Sequence, residues 1–267
     1  MDGLVFIIFT IIVVVSILGL LQWFSPLSKS KRSEHDVANR LQHDSIIKDG
    51  GKVLSNLYIP KPSGETTEID VLYITSKGLI VIEDKNYAGY IFGNEKYRNW
   101  TVTLYAGKTW FGIKRVEKHK FYNPIWQNNT HISCLRKYLK SNIKAFSLIT
   151  FSSRGELKSV TYSSPNVYVC HHSKISSVLK DIWNDNPDVL TNEQIEIIYN
   201  KLQPLTNTDE EIRQKHIKDI HERLNNAEIC PVCGGQLVVR TARKGPYTGS
   251  QFYGCSNYPK CTYTKKL

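Results

Sequence analysis

The sequence predicts an α/β domain set between an N-terminal membrane-spanning helix and a small C-terminal zinc ribbon. Three observations predict it. An uncharged apolar run fills residues 4–21, and four of the six cysteines crowd into the last 38 of 267 residues. Between them, helical and strand-like hydrophobic periods interleave over about 170 residues. With 41% hydrophobic and 22% charged residues, the chain is neither wholly disordered nor fibrous. Six cysteines are too few for a chain-wide disulfide scaffold. The net charge of +11 is uneven, because residues 230–267 hold six Lys or Arg and no Asp or Glu. Such a tail favours a polyanion as partner.

From Leu4 to Leu21, fifteen of eighteen residues are Leu, Ile, Val or Phe, and Trp23 with Phe24 supplies an interfacial end. That length spans a bilayer, so residues 4–24 are the expected membrane contact. Met-Asp-Gly before the run has no positive charge and no small-x-small site follows it, which argues against a cleaved leader. The cations come after the run, at Lys29, Lys31 and Arg32. The positive-inside rule therefore places the N-terminus outside and the rest in a reducing cytoplasm, as a single-pass protein. The expected divisions are an anchor at 1–28, the α/β domain at 29–204, a helical linker at 205–228 and the ribbon at 229–267.

Within the domain, Ser33 is the expected cap of a helix whose inward stripe is Glu34, Val37, Ala38 and Leu41. Lys52 to Ile59 alternates like a strand, and the runs Ile69–Thr75 and Leu79–Lys85 read as a hairpin. Trp100 to Phe111 is further β structure. Asn123-Pro124 opens a helix, with Asn as cap, Pro in its first turn and Ile125, His131, Leu135 and Leu139 inward. Ala145–Phe151 and Asn166–Cys170 are short buried strands. Thr191 and Gln194 form a capping box for a last helix that Pro204 ends. Thr208 to Asn226 is highly charged with a thin apolar stripe, as expected of a helical linker. Cys134 and Cys170 have no partner at ligand spacing and read as ordinary buried thiols.

Chemistry concentrates on the hairpin. Side chains alternate along a strand, so Glu83 and Lys85 share a face while Asp84 points the other way and reads as a solvated charge. If the loop is Thr75-Ser76-Lys77-Gly78, Ile74 opposes Leu79 and Asp70 falls opposite Glu83. A three-residue loop sets Asp70 against Asp84 instead. Two carboxylates side by side repel, and a divalent cation removes the cost. This is wiring for metal-assisted phosphodiester hydrolysis, in which Asp70 and Glu83 hold Mg²⁺ or Mn²⁺ and Lys85 positions water or offsets charge. A charged strand end facing solvent is the plain alternative, since D-x₁₂-E-x-K is a loose pattern.

Ile69-Asp70, the stretch Gly78 to Gly89 and Asn123-Pro124-Ile125-Trp126-Gln127 together resemble the bacterial nuclease-related domain, a branch of the PD-(D/E)xK nuclease-like fold. The resemblance spans roughly residues 30–150 and implies a mixed sheet flanked by helices in a bacterial protein, so that the membrane expected of the apolar run is that of a bacterial cell. It implies Asp70, Glu83 and Lys85 as the catalytic core, Gln127 as a nearby helix residue and Glu34 as the glutamate of the first helix. Two positions depart from the family pattern: Ser33 stands where Gly is usual, and Asp84 where an apolar or small polar residue is commoner.

In the tail, Cys230-Pro231-Val232-Cys233-Gly234-Gly235 is a zinc knuckle, and Cys255 with Cys261 completes a four-thiolate site for structural Zn²⁺. The stretch from Cys230 to Cys261 resembles the four-cysteine ribbons of bacterial type IA topoisomerases, which implies single-stranded DNA as partner. The residues agree with that, since Arg240, Arg243, Lys244, Lys260, Lys265 and Lys266 can meet phosphates while Tyr247, Phe252, Tyr253 and Tyr258 offer stacking surfaces. Some of those rings must pack the ribbon's core. The expected partners are DNA and the membrane, with no small-molecule cofactor. Two functional readings stand: a metal-dependent nuclease, or an inactive nuclease fold that tethers DNA or RNA at the membrane.

Overall fold

The computed structural model describes residues 26–43, 50–61, 65–108, 114–206, 218, 230, 235–243, 248–259 and 261–266. The apolar run at 4–24 and nearly all of the expected linker lie outside these residues. Among the described residues, no helix is long and apolar enough to cross a membrane. The chain divides into two compact units, Met1–Asn207 and Thr208–Leu267.

The first unit opens with α1 (Pro26–His43), followed by β1 (Lys52–Pro60), β2 (Thr66–Thr75) and β3 (Gly78–Lys85). These three strands form an antiparallel meander. Gly78 has φ +123° and passes so close to Lys144 that a Cβ there would lie 2.3 Å from its carbonyl oxygen, which only glycine allows. Next come β4 (Gly89–Asn94), β5 (Asn99–Lys108) and β6 (Lys114–Tyr122), then α2 (Pro124–Leu139) and β7 (Ala145–Phe151). The chain closes with β8 (Gly155–Thr161), β9 (Val167–His171), α3 (Ile175–Asp185) and α4 (Asn192–Leu202).

Two sheets result. The main one has the order β1-β2-β3-β7-β9, with β3 parallel to β7 and β7 parallel to β9, and the smaller one has the order β6-β5-β4-β8. A parallel β3–β7 pair requires a crossover, and α2 is the helix in that connection. Helices cover both faces of the main sheet. On one face, Ile132 and Leu135 of α2 and Ile195, Ile198 and Leu202 of α4 pack on Leu72, Ile74, Leu79 and Val81. On the other, Val37, Ala38 and Leu41 of α1 and Ile175, Leu179 and Ile182 of α3 pack on Val71, Tyr73, Ile80 and Ile82. A third cluster around Trp100, Ile125 and Phe151 joins the smaller sheet to the first. This mixed α/β arrangement suits a nuclease-like fold.

Most expected elements are present, with one correction. Ser33 does not cap α1, because the helix already begins at Pro26, whose fixed φ suits a first turn. Ser33 instead lies inside the helix, buried. Four elements lie beyond the expectation: β4, β6, β8 and α3. The three strands are short or carry exposed, charged positions, so their period is weak.

Asn123 positions α2. Its side chain accepts from the Ile125 amide and donates to the carbonyls of Asn94, Glu95 and Tyr97, so one buried amide ties the helix start to the β4–β5 loop. Trp126 Nε1 adds a bond to Glu95 O at 2.7 Å. The expected capping box at α4 is formed by Thr191 and Gln194. Asn123→Ala should therefore cost about 2–4 kcal/mol, since it removes a buried amide that makes four hydrogen bonds, whereas Thr191→Ala should cost about 1 kcal/mol. Urea unfolding of both variants checks the ranking, and equal losses would refute the hub role of Asn123.

Candidate active site and zinc centre

β2 and β3 pair from Thr75–Gly78 through Ile74–Leu79 to Val71–Ile82. That register carries Asp70 opposite Glu83, the even-loop arrangement. The described ladder ends at Val71–Ile82, and Asp70 Oδ2 then accepts the backbone N–H of Asp84 at 2.8 Å. Asp70 is thus fixed to β3 by its side chain.

Glu83 is 1% exposed, in the centre of the sheet. The Lys85 ammonium donates to its Oε1. Lys85 Nζ also reaches Gln127 Oε1 at 3.3 Å, so α2 steers the lysine. The other carboxylate oxygen of Glu83 lies 3.1 Å from His131 Nε2. Since a carboxylate only accepts, Nε2 carries the proton there. His131 Nδ1 meets Thr67 Oγ1 at 2.8 Å. Gln127 and His131 are four residues apart on α2 and present one face to the acids. Asn128 locks that helix in place through bonds from Nδ2 to Val81 O at 2.7 Å and to Ser147 Oγ at 3.0 Å.

The charges are unequal in comfort. Burial pushes the Asp70 carboxyl well above the usual carboxylate range, and the neighbouring charges of Glu83 and Glu34 add to the rise against Lys85. Burial acts on Glu83 in the same direction, but the Lys85 charge and the His131 hydrogen bond outweigh it and hold Glu83 below its ordinary value. Desolvation lowers Lys85, yet the charges of Glu83 and Asp70 win and raise it. Asp70 is therefore the acid with an unmet need for positive charge, and Glu34 reaches it electrostatically from α1.

Asp84 corrects the sequence expectation of a solvated charge. It is 4% exposed and faces the α1 and α3 side, where Ser33 Oγ donates to Oδ2, Thr150 Oγ1 donates to Oδ1 at 2.6 Å and His172 Nε2 meets Oδ1 at 2.6 Å. His131, Thr67 and His172 were not among the expected site residues. The signal for His131 was its i+4 spacing from Gln127, whereas Thr67 and His172 come from distant segments and had none.

In the second unit, β10 (Leu237–Thr241), β11 (Gln251–Cys255) and β12 (Thr264–Lys266) form an antiparallel sheet. Cys230, Cys255 and Cys261 are buried, and their sulfur atoms lie within 4.8 Å of one another. Cys230 Sγ and Cys261 Sγ are 3.7 Å apart. Four thiolates at about 2.3 Å from Zn²⁺ stand about 3.8 Å apart in a tetrahedron, so these thiols fit structural zinc. Cys233 lies outside the described residues. The Asn257 amide approaches Cys255 Sγ at 3.4 Å, as thiolates at a metal prefer. Among the described residues, this is the one group of three or more ligand-type side chains.

Of the expected nucleic-acid contacts, Tyr258 is 63% exposed with the Arg240 guanidinium 5.7 Å from its ring centre. Arg240 also donates to Cys255 O at 3.2 Å. It can lie flat there because residue 254 is glycine, where a Cβ would meet Arg240 Cδ at 2.7 Å. Arg243, Lys265 and Lys266 are exposed, while Tyr253 packs against the cysteines as part of the core. Lys244, Tyr247 and Lys260 lie outside the described residues. In the first unit, Cys134 is partly buried, and burial pushes the Cys170 thiol up to about 12, as inert interior thiols behave.

The comparisons agree with this anatomy. The family model of the nuclease-related domain matches residues 29–152, and that of the topoisomerase DNA binding C4 zinc finger matches residues 227–267. The chain thus carries a nuclease-related domain followed by a topoisomerase-type C4 ribbon. An uncharacterized protein of Bacillus anthracis is 26% identical over 223 residues, covering 84% of this chain and 98% of that protein. DNA topoisomerase 1 of Archaeoglobus fulgidus is 46% identical over 57 residues, 20% of this chain but only 8% of the enzyme. The uncharacterized protein YrdD of Escherichia coli is 46% identical over 44 residues, 16% of this chain and 22% of its own length. No solved structure gives a significant match.

Two predictions follow from the geometry. The folded-state value of Asp70 lies above the unfolded one of about 3.9, so the native chain holds the extra proton and loses stability as pH rises above that value. Metal-free Asp70→Asn should then melt above the wild type at pH 7, with the gap closing near pH 3. A lower melting temperature at pH 7 would show that the buried charge is compensated. For the ribbon, the purified chain should hold one zinc, and Cys255→Ser should lose it along with the ribbon's fold. Metal analysis and near-ultraviolet circular dichroism read both.

Proposed function

We propose that this chain is a membrane-anchored, cytoplasmic, metal-dependent nuclease of a bacterial cell whose ribbon binds DNA, in single-stranded form. The observation that carries the catalytic reading is the facing pair Asp70 and Glu83 with the Lys85 ammonium on Glu83, all held at one end of the central strands. The anchor reading rests on the apolar run at 4–24 with its following cations. The DNA reading rests on the matched ribbon, its cations and the exposed Tyr258 ring.

The donor set fits a hard divalent cation. Asp70 and Glu83 offer carboxylate oxygens, and the raised proton affinity of Asp70 marks a site short of positive charge. Bound there, Mg²⁺ or Mn²⁺ supplies Lewis-acid polarisation of a phosphodiester and a more acidic water. The chain's own residues do the rest. Asp70 and Glu83 hold the cation, and His131 with Thr67 fixes the rotation of the Glu83 carboxylate. Gln127 keeps Lys85 Nζ aimed, so that the ammonium can orient the attacking water or offset charge on the phosphate.

Binding and cleavage should separate. Glu83→Ala and Lys85→Ala should each lower Mg²⁺-dependent cleavage of labelled DNA by at least about 100-fold and leave metal-free binding unchanged. Removing residues 229–267 should weaken binding and flatten its salt dependence by about 0.7 in slope per lost single-strand phosphate contact. Cleavage that persists in Glu83→Ala would refute the metal assignment. Binding without any cleavage by the wild type in Mg²⁺ or Mn²⁺ would leave the tether reading in its place.

A further inference from the structure

A second constellation lies across β3 from the acids, and nothing in the proposed catalysis uses it. A cavity of about 1020 Å³ is lined by Asp36, Arg40, His171 and His172 with serines, an asparagine and His43. A second cavity of about 360 Å³ is lined by Arg32, Asn86, Arg154 and His172 with further serines. The two share Asp36, Ser153 and His172, so they form one groove. It lies where β3 and β7 end, since Asn86 follows Lys85 and the Ser152 amide donates to Lys85 O at 3.2 Å. Crevices outside the carboxyl ends of parallel strands are where α/β sheets take ligands.

The lining selects its occupant. Arg40 and Arg154, with Arg32 partnered beside them, outnumber the single carboxylate, Asp36, among the described lining residues. Asp84 behind them is taken up by Ser33, Thr150 and His172. That excess calls for an anion. The described lining has no aliphatic side chain and no Phe, Tyr or Trp. An acyl chain finds no aliphatic side chain, and a base finds no Phe, Tyr or Trp to stack on. A polymer of phosphates and sugars needs neither.

We propose that this groove binds the phosphate backbone of a nucleic acid strand without reading its bases, just past the end of β3 at Lys85. The proposal rests on nucleic acid as the ligand of the chain and does not require that the acids cleave it. Hydroxyl and guanidinium contacts to phosphate oxygens are blind to sequence.

The test uses the full chain, a fluorescent 30-nucleotide single strand of mixed sequence and no divalent cation, so catalysis plays no part. Phenylglyoxal modification of Arg40 and Arg154 is followed by peptide mass spectrometry, with occupancy checked by anisotropy. Bound oligonucleotide should slow both arginines several-fold, and an oligothymidylate of equal length should do the same. Arg40→Glu/Arg154→Glu, at exposed positions, should stay folded by circular dichroism and lower the salt slope of binding by about 1.4, two contacts at about 0.7 each. Unchanged modification rates with the oligonucleotide bound overturn the proposal. So does protection by phosphatidylglycerol vesicles with none by the oligonucleotide, or a failure of the chain to bind the strand at all.

Discussion

Strand β3 places two acids side by side in the middle of a five-stranded sheet, and the rest of the first unit answers to that fact. Alternation sends Glu83 to one face and Asp84 to the other, both almost completely out of water. An ionised carboxylate in that position costs several kcal/mol unless it is paired. Each face must therefore bring donors to it. On one side α2 delivers His131 and holds Gln127 against Lys85. On the other, α1 delivers Ser33, β7 delivers Thr150 and the turn before α3 delivers His172. The helices cover the sheet for hydrophobic reasons, but these polar contacts set where along it they stop.

These two acids and Asp70 are not equivalent in what they leave undone. Asp84 has a donor on each of its oxygens, and such completeness is what a structural carboxylate requires. Glu83 is also well served. Asp70, opposite it, receives one backbone N–H and meets like charge from Glu83 and Glu34 that the Lys85 charge only partly offsets. A buried acid kept short of partners is a destabilising feature that folding alone does not ask for, and such features collect where chemistry is done. The acid that titrates uncomfortably is thus the better guide to the reactive centre than the acid buried most deeply.

How much of this was legible depended on the distance between partners in the chain. Alternation along β3 is enough to give Lys85 the face of Glu83, whereas Asp70 falls opposite Glu83 only with the even loop, which the two-residue turn of the β2–β3 hairpin supplies. Asn123 and Pro124 announced α2 through local cap chemistry, as Thr191 and Gln194 announced α4. The cysteine spacing exposed the ribbon. By contrast, Ser33 was read as a cap because hydroxyls favour caps, and its true partner, Asp84, lies 51 residues away. Asp84 looked solvated for the same reason, since no periodicity reveals that Thr150 and His172 will converge on it. Three of the four strands of the smaller sheet escape the sequence reading, because β4 is short and β6 and β8 carry polar, exposed residues that leave no apolar alternation to detect.

Under the proposed function, charge gives the two units different tasks. The acid face of the first unit repels phosphate as long as no cation sits between Asp70 and Glu83, so it makes a poor docking surface. The ribbon, with six cations and no carboxylate from residue 230 onward, attracts the same ligand without discrimination. A chain that handled substrate only at the ribbon would hold a strand at one point and leave its path past the acids undefined. An arginine-lined groove that shares the end of β3 with Lys85 supplies what that division lacks, because it places attraction beside the repelling face. Under the proposed function, affinity in the tail, alignment in the groove and reactivity at the acids fall to different residues, and each can be strong without weakening the others.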